Sequence, residues 1–202
     1  MTSVRIDTPH GPARAELHCA SEGLAGMLLG HGAGGGIAAP DLVAVTWAAT
    51  AAGVHVALVE QPYRVAGRKA PAPAKQLDEA WLAVAEDLGE RWFTGLPLIF
   101  GGRSSGARVA CRTAEAGDAA AVLCLAFPVH PPGKPEKSRQ HELDAVTVPR
   151  LVVQGDRDAF GQPEPSHHEI VQVAGDHSLK ADVDTVHRAV EEWLGRVLRV
   201  ID

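Results

Sequence analysis

Residues 96–106 read LPLIFGGRSSG, an apolar run that ends in a glycine-rich turn. A helical pattern follows over Arg108–Ala116, so Ser104 lies in the strand–turn–helix setting that a G-x-S-x-G motif requires. Glycine at positions 102 and 106 removes the side chains that would clash across such a sharp turn. The pattern predicts that the Ser104 hydroxyl is exposed at the carboxyl end of a strand, above a helix N-terminus that favours developing negative charge.

The motif alone does not decide the role of this serine, because a serine that caps a helix after a glycine-rich turn gives the same pattern. Downstream residues distinguish the two interpretations. Predicted strands end at Gln154 and Val173, and they are followed by the sequences GDRD at 155–158 and AGDH at 174–177. A serine hydroxyl becomes nucleophilic when an imidazole removes its proton and a carboxylate orients the imidazole.

The chain order of serine, acid and histidine is the one found in enzymes built on a G-x-S-x-G elbow. We therefore predict that Ser104, Asp158 and His177 form a catalytic triad. Asp158 is preferred to Asp156 because the loop needs room to bend back toward the histidine, and Asp156 is predicted to shape the turn. Asp176 is adjacent to His177 in sequence and is poorly placed to orient it.

Short apolar runs alternate with helical patterns along the chain, which predicts an α/β fold. The predicted core strands are Ala25–Leu29, His55–Val59, Leu96–Phe100, Ala119–Phe127, Arg150–Gln154 and Ile170–Val173. The predicted helices are Leu42–Ala52, Leu77–Trp92, Arg108–Ala116 and Val183–Leu198. Strands this apolar indicate a mostly parallel sheet with helices on both faces, and Val4–Ile6 with Ala13–Leu17 adds an antiparallel hairpin at its edge. We expect a single domain over residues 1–202.

The glycine-rich stretch 28–36, LLGHGAGGG, permits two interpretations. In the first, the loop supplies a backbone N–H to an oxyanion hole, and the residue after the nucleophile supplies another. The predicted donors are then the amides of Ala33 and Ser105. In the second, the stretch is a dinucleotide-binding G-x-G-x-x-G motif, with Glu60 placed to bind a ribose. The second interpretation leaves the serine, acid and histidine segments unexplained.

Net charge, apolar stretches and cysteine spacing limit the kinds of partner and the compartment that we expect for this protein. The net charge of −6 argues against nucleic acid or an anionic membrane as a partner. The first 17 residues lack the apolar core of a signal peptide, and the apolar stretch 44–59 is too interrupted to span a membrane. Three widely spaced cysteines without metal-binding spacing indicate a reducing compartment. We expect a cytoplasmic protein that needs no metal or other cofactor and acts on a small acyl substrate.

The chain resembles the α/β-hydrolase superfamily, and within it the small, lid-poor branch of dienelactone-hydrolase-like and testis-expressed-protein-like members. The residues that carry the resemblance are 30–34 (GHGAG), 61–64 (QPYR), 101–104 (GGRS), 127–133 (FPVHPPG), 154–158 (QGDRD) and 175–177 (GDH). The resemblance implies the same triad. Many relatives insert a helical cap after the strand ending near Phe127, where this chain has a proline-rich loop from Pro128 to about Lys137. We therefore expect an open site without a cap domain.

Charged and aromatic residues are expected around this site. Tyr63, Arg64, Arg103 and His130 follow or flank predicted strand ends and could form a cationic rim for a substrate carboxylate or phosphate. They could equally be solvated loop residues, and Arg103 could anchor the turn through a structural salt bridge. The pair at 167–168 lacks a helical H-E-x-x-H pattern, so we expect exposed loop histidines.

The predicted activity is hydrolysis of a small carboxylic ester or thioester through an acyl-enzyme on Ser104. Because some relatives serve in protein assemblies, a catalytically weak or inactive scaffold that acts in protein interactions is an alternative. A dinucleotide-binding protein is a further alternative.

Overall fold

Strands and helices alternate over residues 2–201, which are the residues described by this computed structural model. The eight strands are β1 (Thr2–Ile6), β2 (Ala13–His18), β3 (Ala25–Gly30), β4 (Val54–Glu60), β5 (Leu98–Arg103), β6 (Ala121–Leu125), β7 (Arg150–Gly155) and β8 (Glu169–Val173). The helices are α1 (Pro40–Ala51), α2 (Pro62–Val65), α3 (Ala74–Arg91), α4 (Ser105–Thr113), α5 (Gln140–Asp144) and α6 (Val183–Val197).

All eight strands belong to one sheet in the order β1-β2-β4-β3-β5-β6-β7-β8. The strands from β3 onward pair in parallel, as expected for strands joined by helical crossovers. The β1–β2 hairpin is antiparallel and joins the sheet through an antiparallel pairing of β2 with β4. The predicted fold class is thus confirmed, including the hairpin at one edge.

Helices cover both faces of the sheet. Helix α3 carries an apolar stripe at helical spacing, Leu77, Trp81, Val84 and Leu88, and it packs with α4 and α5 in one core cluster. Helices α1 and α6 contribute to the cluster on the opposite face. The central strand β3 is buried at every position because both of its faces are covered.

The predicted elements are present with small shifts at their ends, and two short helices were not predicted. The strand predicted from Leu96 begins at Leu98, and the strand predicted over 119–127 is confined to Ala121–Leu125. Helices α2 and α5 span only four and five residues, too short to produce a helical periodicity in the sequence. Residues 126–139, between β6 and α5, contain neither helix nor strand, so the predicted absence of a cap domain is confirmed.

The strand order reverses between β3 and β5: the chain passes from β3 to β4 on one side, and β5 lies on the other. In open parallel sheets, loops at the carboxyl ends diverge at such a point and leave a crevice. The loop after β3 and the turn after β5 both leave the sheet there. Within the part of the chain that the structure describes, no helix combines the length and hydrophobicity needed to cross a membrane.

Candidate active site

The turn after β5 places Ser104 in a strained backbone conformation. Its φ of 53° and ψ of −109° lie outside the regions that non-glycine residues prefer. The amide of Ser104 donates to the Leu125 carbonyl at 2.9 Å, which ties the turn to the neighbouring strand β6. Helix α4 begins at the next residue, Ser105. Strain of this kind costs about 1–3 kcal/mol and is characteristic of functional sites.

Three glycines make this turn sterically possible. A Cβ on Gly102 would lie 2.6 Å from the Gly30 carbonyl oxygen and 2.8 Å from the Gly106 carbonyl carbon. A Cβ on Gly106 would lie 2.4 Å from the same Gly30 oxygen. The end of β3, the end of β5 and the first turn of α4 therefore meet through backbone atoms. The two motif glycines are required because no side chain fits between these segments.

The three residues predicted from the sequence lie in one hydrogen-bonded chain. His177 Nε2 is 2.8 Å from Ser104 Oγ, and His177 Nδ1 is 2.8 Å from Asp158 Oδ2. A carboxylate only accepts hydrogen bonds, so the imidazole carries its proton on Nδ1. Nε2 is then free to accept the hydroxyl proton of Ser104. This is the arrangement in which a histidine can act as a general base toward a serine.

The Asp158 carboxylate is buried and held by several donors. Its side chain has no solvent exposure, and besides His177 it accepts hydrogen bonds from Phe160 N at 2.8 Å and Gln154 Nε2 at 2.9 Å. The Phe160 ring also stacks on the His177 imidazole, with the ring centroids 4.1 Å apart. Phe160 therefore holds the acid with its backbone and the base with its ring. Sequence reasoning did not identify this residue, because nothing local marks it.

The neighbouring acids have other contacts. Asp156 Oδ1 accepts a hydrogen bond from Gly175 N at 2.8 Å, which joins the loop after β7 to the loop that carries the histidine. Asp176 Oδ1 accepts from the amide and hydroxyl of Ser178. Asp156 therefore shapes the turn, as the sequence predicted, and Asp176 forms no hydrogen bond with the His177 imidazole.

The loop after β3 is fixed by His31 and Tyr63. His31 Nδ1 donates to the Gly32 carbonyl at 2.8 Å, and its Nε2 accepts from Gln61 N at 3.2 Å. Burial lowers the pKa of His31, in agreement with a neutral ring that uses one nitrogen as donor and the other as acceptor. The Tyr63 hydroxyl donates to the Ala33 carbonyl at 2.9 Å. The H-G pair in the sequence was the available signal for the role of His31.

The two predicted oxyanion donors are the amides of Ala33, in the loop that follows Gly30, and of Ser105, which directly precedes Gly106. Ser105 is the first residue of α4, where an N–H has no intrahelical partner. Among residues 2–201, neither amide donates to a protein acceptor. Both are thus available to an external oxygen, as an oxyanion hole requires.

The predicted rim residues have different environments. The Arg103 guanidinium forms an ion pair with Asp41 and donates to the His177 carbonyl, so its contacts are with the protein. Arg64 is half-buried near His31, and no acid of the described chain pairs with it. His130 hydrogen-bonds the Pro131 carbonyl through Nδ1. The Tyr63 hydroxyl is occupied by the loop after β3.

The histidine pair at 167–168 differs from expectation, because only one of the two is exposed. His167 is exposed, whereas His168 is buried at 8% exposure, and burial lowers its pKa.

Glu60, which the dinucleotide interpretation assigns to a ribose, is instead paired with Arg14 of the neighbouring strand. Across residues 2–201, no group of three or more His, Cys, Asp or Glu side chains is arranged to hold a metal ion.

Comparison with known proteins assigns the chain to a family. The family described as Alpha/beta hydrolase domain matches residues 24–197. The chain therefore belongs to the α/β-hydrolase family. No curated protein sequence matches the chain.

Solved structures of similar fold include a serine hydrolase without a lid and several esterases. An α/β serine hydrolase without a lid from Xanthomonas campestris is 19% identical, with a TM-score of 0.81 over 96% of this chain and 94% of that one. Est1E from Butyrivibrio proteoclasticus is 18% identical, with a TM-score of 0.79 over 98% and 100% of the two chains. Dienelactone hydrolase from Anabaena variabilis is 16% identical, with a TM-score of 0.75 over 96% of each chain. These similarities confirm the predicted fold.

Proposed function

We propose that this protein is a serine hydrolase that cleaves small carboxylic esters or thioesters through an acyl-enzyme on Ser104. The observation that carries the proposal is the continuous chain of hydrogen bonds from Ser104 Oγ through His177 to the buried Asp158. It supports nucleophilic catalysis because each group has the partner that its role requires.

In the first half-reaction, Ser104 Oγ attacks the substrate carbonyl carbon while His177 Nε2 takes the hydroxyl proton. The Asp158 carboxylate stabilises the imidazolium that results. The amides of Ala33 and Ser105 bind the oxyanion of the tetrahedral intermediate. His177 then returns the proton to the leaving alcohol or thiol as the bond to the carbonyl carbon breaks, which leaves Ser104 acylated.

In the second half-reaction, a water replaces the leaving group. His177 Nε2 removes a proton from the water as its oxygen attacks the acyl carbon, and the carboxylic acid product departs when Ser104 Oγ regains a proton. The residues are the same in both halves, so loss of any one of the three groups affects acylation and deacylation together.

The proposed substrate class follows from the surroundings of Ser104. Without a cap over residues 126–139, the site suits a small acyl group or one that protrudes from a larger molecule. Arg64 lies beside the loop after β3 (residues 31–36, the oxyanion loop) and has no acidic partner in the described chain. This favours an acyl group bearing a carboxylate or phosphate.

The test uses a fluorophosphonate probe together with short p-nitrophenyl and acyl-thioester substrates. The wild-type protein should be labelled on Ser104 and should turn over at least one substrate class. Ser104→Ala should abolish labelling, and Asp158→Asn should lower kcat by about 10⁴-fold, because the imidazole loses the partner that fixes its tautomer. Ser21→Ala, which removes an exposed serine outside the site, is the matched control and should behave as the wild type.

A folded wild-type protein that resists the probe and hydrolyses no ester or thioester would overturn the proposal. A stable protein partner in pull-downs, retained by Ser104→Ala, would then favour the interaction scaffold. A rise in melting temperature with NAD or NADP would favour dinucleotide binding. The proposal includes a cytoplasmic location, which rests on the odd number and wide spacing of the three cysteines.

A further inference from the structure

Arg103, the residue before the nucleophile, contacts three segments of the site. Its Nε forms an ion pair with Asp41 Oδ2 at 2.8 Å, and its Nη2 donates to the His177 carbonyl at 2.7 Å. Its Nη1 lies against the oxyanion loop, 2.9 Å from the position of a Cβ on Gly32. One planar guanidinium on the nucleophile turn therefore contacts the oxyanion loop, helix α1 and the loop of the base.

Asp41 is an unusual partner because its side chain has no solvent exposure. Burial raises the pKa of its carboxyl, and the Arg103 charge opposes that effect. Its other oxygen, Oδ1, accepts from the amide of Leu42 in the first turn of α1. The carboxylate is thus fixed at a helix N-terminus, where negative charge is favourable, and it offers Arg103 a rigid anchor.

The histidine loop needs such an anchor. It follows β8, which is the edge strand of the sheet and pairs only with β7. Gly175 in this loop forms hydrogen bonds with Asp156 and Arg157, which belong to the loop after β7 that carries Asp158. Within residues 2–201, two hydrogen bonds connect this loop to the nucleophile turn. One is the Ser104–His177 bond itself, and the other is the bond from Arg103 to the His177 carbonyl.

We propose that Arg103, anchored by Asp41, is a positioning residue that holds His177 at hydrogen-bonding distance from Ser104. Arg103 does not touch the reacting atoms; it acts through the backbone of the base. The inference rests on the proposed hydrolase activity for its kinetic consequences, although the position of His177 can be measured without turnover.

The proposal predicts a loss of kcat with little change in KM. A displacement of about 1 Å between reacting groups lowers rates by about 10²-fold. Removing Arg103 alone would leave Asp41 buried without a cation and could unfold the protein, so the main variant is the double change Arg103→Met with Asp41→Asn. It should lower kcat and the rate of fluorophosphonate labelling about 10²-fold and leave KM within about 2-fold of the wild type.

Arg103→Lys tests the geometry separately from the charge. A lysine ammonium retains the charge but cannot reproduce the planar fork that reaches both Asp41 and the His177 carbonyl. Its kcat should lie between those of the wild type and the double variant. The matched control is Arg112→Met with Asp78→Asn, which removes a partly buried arginine–aspartate pair between α4 and α3, away from the histidine. The control should retain the wild-type kcat.

A measurement independent of activity completes the test. In the wild type, the nitrogen NMR signal of His177 Nε2 should carry the shift of an acceptor that is hydrogen-bonded to Ser104 Oγ, and the Arg103/Asp41 double variant should move that signal toward the shift of a free Nε2. Wild-type kcat and an unchanged signal in that variant and in Arg103→Lys would overturn the proposal. So would a raised KM at constant kcat, or an equal loss in the control. If the wild type shows neither labelling nor turnover, the hydrolase proposal fails, and the NMR comparison still decides the role of Arg103.

Discussion

Substitution of Gly106 by alanine should damage both stability and catalysis, because the residue packs directly on the backbone of β3. A Cβ at this position would lie 2.4 Å from the Gly30 oxygen, 2.5 Å from its carbonyl carbon and 3.0 Å from its Cα. All three neighbours are backbone atoms, so no side chain can rotate away. The end of β3 and the start of α4 must separate by about 0.6 Å or more to bring the closest contact to 3.0 Å.

The cost follows from this separation. Overpacking of a buried contact costs about 1–3 kcal/mol. For a domain of this size, each 1 kcal/mol lowers Tm by about 2–4 °C, so we expect Gly106→Ala to lower Tm by about 2–12 °C. The movement also changes the distance between the amides of Ala33 and Ser105, because each lies within a few residues of the contact. Misplacement on this scale should slow acylation of Ser104 about 10²-fold.

Thermal unfolding and the rate of fluorophosphonate labelling measure the two effects separately. Gly34→Ala is the matched control, because Gly34 lies in the loop after β3 and a Cβ there has no neighbour within 4 Å. It should retain the wild-type Tm. A Gly106→Ala protein that melts within a degree of the wild type and is labelled at the wild-type rate would refute the claim that backbone contact sets this geometry.

Two further predictions concern stability. Burial lowers the pKa of His31 and of His168 below 6.5, so both imidazoles are neutral in the folded protein above that pH. The free energy of unfolding should therefore decline as the pH falls below 6.5, because the unfolded chain then binds protons more readily than the folded one. The decline is at most about 1.4 kcal/mol per pH unit for each histidine. Urea unfolding at pH 7.5 and 5.5 should show this decline, and His31→Gln should reduce it; an equal decline in that variant would exclude His31 as a source. Gly195→Ala in the exposed last turn of α6, where a Cβ meets no atom within 4 Å, should stabilise the protein by at most about 0.5–1 kcal/mol, and a lowered Tm would contradict this.

Periodicity and strand–helix alternation were enough to predict the sheet, its covering helices and the edge hairpin. The same information predicted that Ser104, Asp158 and His177 share one edge of the sheet, because the carboxyl ends of parallel strands meet there. Helices α2 and α5 were missed because a helix of four or five residues has too few positions to show a period. The burial of His168 was missed because the loop that covers it has no regular pattern.

The residues that support the site were harder to predict for a different reason. Asp41, at the N-terminus of α1, is separated from Arg103 by 62 positions, and no pattern links the two. Phe160 is one of four phenylalanines, and its contact with His177 depends on how two loops fold back on each other. For Arg103 the sequence left two roles open, a place in a cationic rim or a structural salt bridge. Its ion pair with Asp41 favours the structural salt bridge. Such contacts depend on tertiary structure and leave no local signal.

The three parts of the site are held in place by different means. The nucleophile turn and the oxyanion loop meet through backbone atoms at Gly30, so their relative position is set once β3 and β5 pair. The acid follows β7, which is buried at every position and paired on both sides. The base alone follows an edge strand. Backbone contacts at Gly155 and Gly175, with the side chains of Asp156 and Phe160, join its loop to the loop of the acid, and the Arg103 side chain joins it to the nucleophile turn. Substitutions in these supporting side chains should therefore disturb His177 before they disturb Ser104 or Asp158, and the position of the base is the part of this site most open to change by side-chain substitution alone.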